Sequence, residues 1–211
     1  GMLTGTHTLS VSDANDEVTE ITFEKAILAA GSEPVKLPFL PEDPRVFSST
    51  GALRFADPSG SLLVIGGGII GCEMATVYRA LGAPVTIVEM LPEIMPGTDP
   101  DLVKPMQQLL EKRGVDIHVN TSVTQVEVTK KGLSVTLEGK TTEKKIFSQI
   151  LVSVGRKPNG LLVGSDKAGI VCDERGFVKV DDQFKTNVSH IFAIGDLIDS
   201  PMLAHVAAAE G

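Results

Sequence analysis

Three glycines lie at a spacing that could hold a phosphate group. Gly66, Gly68 and Gly71 follow the apolar run LLVI in the order Gly-x-Gly-x-x-Gly and come just before a helical pattern. In a nucleotide-binding turn the first glycine permits a tight bend, the second lets the main chain approach a pyrophosphate, and the third lets the helix pack close to the strand. The helix dipole favours an anion there, at the amides of the turn and the helix start, which include Gly67, Ile69 and Ile70.

A carboxylate follows at the position where such a turn needs an acceptor for ribose. Glu89 comes 18 residues after Gly71, at the end of the next strand-like run, PVTIVEM. A carboxylate there accepts both ribose hydroxyls of NAD and repels the 2′-phosphate of NADP. The segment MLPEIMPG after it has no Lys or Arg to attract that phosphate. A purely structural glycine turn does not explain Glu89, so we predict dinucleotide binding with a preference for NAD.

A second carboxylate, Glu73, lies only two residues after the last glycine. A carboxylate near a helix N-terminus is stabilised by the helix dipole. A capping carboxylate would bind the exposed amides of the first turn, which is not needed beside a nucleotide-binding turn. A solvated glutamate on an amphipathic helix is an equally good interpretation of the spacing alone.

The surrounding pattern predicts an α/β fold with a Rossmann-like parallel sheet. LLVI, a helix ending at Gly82 and a second strand fit the size of a crossover unit. A further helix is expected between an Asp99 cap and Gly114, with Pro105 either kinking it or delaying its start. From Val123 the period changes to two, which predicts a hairpin or β-meander, and QILVSVG is apolar enough to return to the parallel sheet.

The two ends read as pieces of another domain. Residues 1–33 predict strands that finish in AILAAGS, and residues 156–211 predict a hairpin at GIVCDERGFVKVD, a buried strand, HIFAIGD, and a final helix. We therefore expect a complete domain at 34–155 inserted into a partial second domain, and a chain that is a portion of a longer protein. Both apolar strands end in a glycine-containing turn, where open α/β sheets bind ligands.

Composition excludes several classes of function. The net charge of −8 and the absence of a basic cluster argue against a nucleic-acid partner. No apolar run approaches a membrane span and no signal peptide is visible, so we expect a protein of the cytoplasm. Cys72 and Cys172 are far apart and lack metal-ligand spacing, so no metal site is expected. Cys72 is interpreted as a small buried hydrophobe rather than a reactive thiol.

Almost the whole chain resembles the middle of a bacterial-type dihydrolipoamide dehydrogenase, in the pyridine nucleotide-disulfide oxidoreductase family. The resemblance lies in AILAAGSEPVKLPFLPEDPRVFSSTGAL, LLVIGGGIIGCEMATVYRALG, VSVGRKPN and IFAIGDLIDSPMLAHVAAAEG. It implies flanking FAD-domain segments in which Asp196 binds the ribityl chain of FAD. It also implies that Glu73 is catalytic, pairing with a lysine of the FAD domain beside the flavin. The other cofactor-binding residues that it implies are Ala30, Gly31, Val154, Gly155, Met202, Leu203, Ala204 and His205.

The same resemblance implies a parent enzyme of which this chain holds only part. The parent oxidises dihydrolipoamide with NAD⁺ through FAD and a redox disulfide, works as a homodimer in a 2-oxoacid dehydrogenase complex, and takes a lipoyl domain as substrate. The FAD glycine fingerprint, the Cys-x-x-x-x-Cys pair and the His-Glu pair of that family are absent, so we expect the chain alone to be inactive. A mercuric reductase, an NADH oxidase or a non-enzymatic NAD-sensing module stays open as an alternative.

Overall fold

The computed structural model describes residues 1–54 and 58–211. These residues fall into two compact units: a central unit, Pro34–Gly155, and a flanking unit, Gly1–Glu33 with Arg156–Gly211. The helices are α1 (Ser49–Ala52), α2 (Ile69–Ala80), α3 (Pro100–Lys112) and α4 (Ala204–Glu210). In chain order the strands are β1 (Met2–Gly5), β2 (Thr8–Ser12), β3 (Val18–Thr22), β4 (Ala26–Leu28), β5 (Ser32–Pro34), β6 (Val46–Ser48), β7 (Leu62–Ile65), β8 (Val85–Val88), β9 (Val115–His118), β10 (Ser122–Thr129), β11 (Gly132–Glu138), β12 (Thr142–Phe147), β13 (Gln149–Val152), β14 (Arg156–Pro158) and β15 (Ile191–Ala193).

The central unit is built on a five-stranded parallel sheet in the order β6-β13-β7-β8-β9. All four residues of β7 are buried because both faces of the sheet are covered. Leu62 and Val64 pack with side chains of α2 and α3, whereas Leu63 and Ile65 pack with those of the antiparallel meander β10-β11-β12. The predicted α/β fold with a parallel sheet and a meander is confirmed.

The two long helices begin and end near the residues that the sequence indicated. The Asp99 carboxylate accepts the Asp101 amide at the start of α3, and Pro100 is its first residue. Pro105 lies inside α3, so it does not delay the start of that helix. After α2 and α3 the chain turns through Gly82 and Gly114, whose φ angles are +103° and +86°, in the left-handed region that suits glycine.

The flanking unit contains three small sheets. Strands β1-β2-β3 form an antiparallel sheet, β4 pairs in parallel with β15, and β5 pairs with β14. Its core comprises Leu3, Ala168, Ile170, Val178, Ile191, Ala193 and Ile198. The hairpin predicted from GIVCDERGFVKVD is shorter than expected: its arms share one bridge, Cys172 with Val178, and main-chain hydrogen bonds from Asp173 to Phe177 and from Lys179 to Val171, but neither arm forms a longer strand. Asp173 bends the intervening residues into a side-chain-capped turn by accepting the Arg175 and Phe177 amides.

None of the helices within residues 1–54 and 58–211 combines the length and apolar character needed to cross a bilayer.

Candidate functional site

The glycine turn between β7 and α2 leaves no room for side chains at its two ends. Gly66 has φ +100°, and a Cβ atom there would lie 2.5 Å from the Ser153 carbonyl oxygen. A Cβ atom on Gly71 would lie 2.1 Å from the Gly66 carbonyl oxygen. Both distances are far below van der Waals contact, so these two positions require glycine for the strand and helix to approach this closely.

Gly68, in the middle of the turn, faces open space. A Cβ atom built on it meets no atom within 4 Å. Gly68 is also the N-cap of α2, where no side chain caps the helix and no acidic residue occupies the first turn. Main-chain donors at a helix start that have open space before them suit an anionic ligand such as a pyrophosphate. The residues present therefore fit the phosphate groups of a dinucleotide.

Glu89 lies behind the turn with its carboxylate already bound to the main chain. Its Oε2 accepts the Gly67 amide at 2.7 Å and its Oε1 accepts the Leu91 amide at 2.8 Å. The residue is only 6% exposed, and its own amide donates to the His118 carbonyl. Because each carboxylate oxygen has two lone pairs, a second donor can still be accepted on either one. The glycines and Glu89, predicted separately, thus lie in direct contact.

Val154 and Gly155 follow β13 beside the turn. A Cβ atom on Gly66 would lie 3.2 Å from the Val154 amide nitrogen, and the Val154 side chain is 38% exposed. Gly155 has φ +116° with open space around its missing side chain. The preceding residue, Ser153, was missed by the sequence interpretation although its hydroxyl contacts the turn. A serine at the carboxyl end of a strand that neighbours the glycine turn is the signal that could have found it.

Glu73 is exposed on α2. Within residues 1–54 and 58–211 its carboxylate has no hydrogen-bond or ion-pair partner. Cys72, one residue earlier, is buried and donates its thiol to the Gly67 carbonyl at 3.3 Å. Burial, and after it the negative charges of Glu89 and Glu73, raise the pKa of the Cys72 thiol to about 11. That thiol is therefore a packing group and a weak donor, not a nucleophile near neutral pH.

The flanking unit holds a second group of predicted residues around Ser32. The Ser32 hydroxyl donates to Asp196 Oδ2 at 2.5 Å and accepts from Arg156 Nε at 2.7 Å. Ala30 and Gly31 precede it, and their carbonyls accept the side-chain and main-chain N–H groups of Asn159. The Asp196 carboxylate is half-buried, so part of it is accessible to a hydroxyl-bearing ligand.

The segment that leads into α4 contains the remaining predicted residues. Leu203 is the N-cap of α4, and Met202 before it is half-buried. Ala204 and His205 form the first turn of the helix and are exposed. At the other end of α4, the Glu210 carboxylate accepts the Gly195 amide at 2.6 Å.

Across the described parts of the chain, no group of three or more His, Cys, Asp and Glu side chains is arranged to hold a metal ion.

Comparisons with known proteins place the chain in one family. A family model described as pyridine nucleotide-disulphide oxidoreductase matches residues 2–211. A dihydrolipoyl dehydrogenase of Vibrio cholerae is 47% identical over 100% of this chain and 45% of the relative's length. One of Bacillus subtilis is 42% identical over 97% of this chain and 44% of the relative. The chain thus spans less than half the length of these curated relatives.

Two solved structures share the fold. The HOCl-induced flavoprotein disulfide reductase RclA of Escherichia coli, solved as a Cu(II) complex, has a TM-score of 0.90 and 27% identity, covering 99% of this chain and 47% of its own. The water-forming NADH oxidase of Lactobacillus brevis, bound to NADH, has a TM-score of 0.85 over 100% of this chain and 50% of its own. At 23% identity the second likeness concerns the fold alone. From the match to its family model over residues 2–211, the chain belongs to the pyridine nucleotide-disulphide oxidoreductase family.

Proposed function

We propose that the central unit binds NAD and that the chain is the NAD-binding portion of a dihydrolipoamide dehydrogenase. The observation that carries the proposal is the open space over Gly68, at the uncapped start of α2, with the Glu89 carboxylate directly behind it. The amides of the helix start would bind the pyrophosphate, and Glu89 would accept the hydroxyls of the adenine ribose. Val154 and Gly155 would lie along the nucleotide.

The flanking unit supplies the segments that would contact FAD. Asp196, held by Ser32, has the acceptor chemistry that a ribityl hydroxyl requires. Met202 to His205 would run past the flavin, with Ala30 and Gly31 at the turn after β4. When bound in the parent enzyme, FAD supplies the hydride relay between dithiol and nicotinamide.

Glu73 would act in the parent at the junction of the two cofactors. Its exposed, unpaired state in the described chain suits a residue whose partner is the lysine that the family places in the FAD domain. In the parent, Glu73→Gln should slow the reduction of flavin by NADH, because the lysine beside the flavin loses its fixed position. Stopped-flow absorbance measures this rate. An unchanged rate would indicate that Glu73 is only a solvated surface residue.

The proposed parent reaction is the oxidation of dihydrolipoamide by NAD⁺ through FAD and a redox disulfide. The parent would be a homodimer in the cytoplasm, in a 2-oxoacid dehydrogenase complex, and would accept a lipoyl domain. The 47% identity to the Vibrio cholerae dihydrolipoyl dehydrogenase supports this assignment. The likeness to the Escherichia coli flavoprotein disulfide reductase, at 27% identity, supports another reductase of the family as a second candidate.

The chain by itself should be colourless and inactive toward dihydrolipoamide. Its two cysteines are a hundred residues apart in sequence and no Cys-x-x-x-x-Cys pair is present to exchange with the substrate. An absorbance spectrum and a dihydrolipoamide assay of the purified chain test this expectation. A stoichiometric flavin spectrum or turnover of dihydrolipoamide would contradict it.

NADH titration followed by amide NMR tests the site itself. In the wild-type chain NADH should shift the amide signals of the glycine turn, Gly66 to Gly71, and of the residues around Glu89. Gly68→Ala should keep the fold, because its Cβ meets no atom, but weaken NADH binding by about tenfold or more since the methyl occupies the path of the pyrophosphate. Absence of wild-type binding, or unchanged binding by the variant, would refute the proposed site.

A further inference from the structure

One peptide unit of the glycine turn is held at both of its ends by side chains. The Gly66 carbonyl accepts the Ser153 hydroxyl at 3.0 Å, and the Gly67 amide donates to Glu89 Oε2 at 2.7 Å. These two groups belong to the same peptide bond. Glu89 follows β8 and Ser153 follows β13, the two strands that flank β7 in the sheet. The Gly66–Gly67 peptide is thus fixed from both neighbouring strands.

The Ser153 hydroxyl has a role that its main chain does not duplicate. The Ser153 amide donates to the Ile65 carbonyl at 2.8 Å, and the hydroxyl lies 3.1 Å from that oxygen and 3.0 Å from the Gly66 oxygen. A hydroxyl has one proton to donate. The Ile65 carbonyl keeps the amide whichever way the hydroxyl turns, whereas only the hydroxyl of these two donors reaches Gly66. Removing the hydroxyl therefore releases one end of the Gly66–Gly67 peptide.

The rest of the turn is coupled to this peptide. The Gly67 carbonyl accepts the Met95 amide at 2.7 Å and the Cys72 thiol at 3.3 Å. A Cβ atom on Gly71 would lie 2.9 Å from the Ser153 hydroxyl oxygen, so this side chain also lies against the first turn of α2. A rotation of the Gly66–Gly67 peptide would consequently re-aim the donors that begin α2.

We propose that Ser153 is a positioning residue for the pyrophosphate of the dinucleotide. Together with Glu89 it fixes the Gly66–Gly67 peptide, and so aims the amides at the start of α2 without touching the nucleotide. The inference rests on the proposed NAD site and adds to it a residue on a different strand. Glu89 both holds the peptide and would bind ribose, but Ser153 does only the former. Substitution of Ser153 can therefore test the positioning of the pyrophosphate without changing the group that would bind ribose.

The test compares nucleotide fragments in the 211-residue chain. Calorimetric titrations with NADH, ADP and adenosine are carried out on wild type, Ser153→Ala and Ser153→Thr. Ser153→Ala should weaken NADH and ADP binding by about threefold to tenfold, as expected for one hydrogen bond, and leave adenosine binding unchanged. Ser153→Thr should restore NADH and ADP binding because it keeps the hydroxyl.

Ser165→Ala is the matched control. Its hydroxyl also donates to a glycine carbonyl, that of Gly160 at 2.7 Å, but it belongs to the flanking unit. This variant should lose similar stability without changing any of the three affinities. Equal weakening of adenosine by Ser153→Ala, or the same loss of NADH affinity in Ser165→Ala, would overturn the inference.

Amide hydrogen exchange separates a failure of this inference from a failure of the proposed function. Ser153→Ala should speed exchange at the Gly67 amide, which donates to Glu89, in the absence of nucleotide, whereas exchange as slow as in wild type would overturn the positioning role. Wild-type protein that binds neither NADH nor ADP would refute the NAD site, and the exchange data would still decide the role of Ser153. Should the alanine variant fail to fold, Ser153→Cys, with a weaker donor of similar size, takes its place in the exchange measurement.

Discussion

Two glycine turns in this chain follow buried strands and offer opposite chemistry. After β7, Gly66 has φ +100°, and the turn leaves the start of α2 uncapped with open space over Gly68. After β15, Gly195 has φ +65°, but its amide is taken by the Glu210 carboxylate and the next residue is Asp196. The central turn presents main-chain donors, which suit phosphate, whereas the flanking turn presents a carboxylate acceptor, which suits hydroxyl groups. The two turns share a glycine at positive φ but suit different ligands, because Glu210 already binds the amide of Gly195 whereas no side chain caps the start of α2.

The largest expected contrast comes from adding a methyl group to a glycine of each unit. Gly71→Ala should cost about 3 kcal/mol of unfolding free energy, because its Cβ would lie 2.1 Å from a main-chain oxygen. Gly31→Ala, whose Cβ meets nothing within 4 Å, should cost only about 1 kcal/mol from its φ of +68°. Urea unfolding measures both, and fluorescence of Tyr78, the single tyrosine, reports on the central unit. Equal costs in the two variants would contradict the packing described for the central turn.

Thiol labelling gives the next contrast. Cys72 should react with iodoacetamide at pH 8 about a hundredfold more slowly than in the denatured chain, because its pKa is raised from 9.0 to about 11 and it is buried. Cys172 is half-buried, and its pKa is raised chiefly by that burial, so it should react faster than Cys72 in the native protein. Peptide mass spectrometry after timed labelling separates the two. Native labelling of Cys72 at the denatured rate would show that the thiol is not packed under the turn.

Low pH should reduce the stability of both units, because each contains aspartates whose carboxylates accept hydrogen bonds from nearby N–H groups. In the flanking unit the amides of Asn15 and Lys185 are the main causes that lower the pKa values of Asp13 and Asp181. In the central unit the Arg45 side chain lowers the pKa of Asp43 to about 2. The stability that these carboxylates contribute is fully present above their pKa of about 4 in the unfolded chain. It is lost as the pH falls through their lowered pKa values in the folded protein.

The urea midpoint should therefore stay nearly constant from about pH 7 to pH 5 and fall between about pH 4 and pH 2. Asp181→Asn keeps an oxygen acceptor for the two amides but removes the titrating charge, so it should flatten this fall. Chemical denaturation across the pH range measures the slope. An unaltered slope in the variant would assign the acid sensitivity to other groups.

The smallest expected effect separates two glutamates. Glu73→Gln should change the unfolding free energy by less than about 0.5 kcal/mol, because the carboxylate is exposed and has no partner in the described chain. Glu210→Gln should cost about 1 kcal/mol, because the Gly195 amide loses a charged acceptor. Thermal unfolding of the two variants checks this difference. A larger loss in Glu73→Gln would mean that this side chain has a structural role.

The sequence predicted the elements whose patterns are strong and local. Strand β7 and helix α2 appeared because a continuous apolar run gives way to helical spacing at glycines, and the structure places both where expected. Strand β6, which joins the sheet edge through three residues, was not predicted because so short a segment has no readable period. The hairpin at 169–181 was predicted from an alternating pattern that in the fold forms only one bridge and two main-chain hydrogen bonds between its arms.

For the candidate site, the sequence supported predictions that depend only on residue type and spacing. The contact between the glycines and Glu89 follows from parallel strands that end at one edge of a sheet. That Glu89 binds the Gly67 and Leu91 amides, and that Ser153 reaches the Gly66 carbonyl, depend on side-chain directions between strands distant in sequence. No local pattern encodes those directions, so they needed the structure.

Calorimetric titration of the chain with NADH and with NADPH tests most directly whether the central unit binds NAD through Glu89. Glu89, nearly buried behind the glycine turn, would accept ribose hydroxyls and repel a 2′-phosphate. We predict that NADH binds at least about tenfold more tightly than NADPH, since bringing a phosphate against a carboxylate costs more than one lost hydrogen bond. Equal or tighter binding of NADPH would contradict the assignment of Glu89 as the acceptor of the adenine ribose hydroxyls.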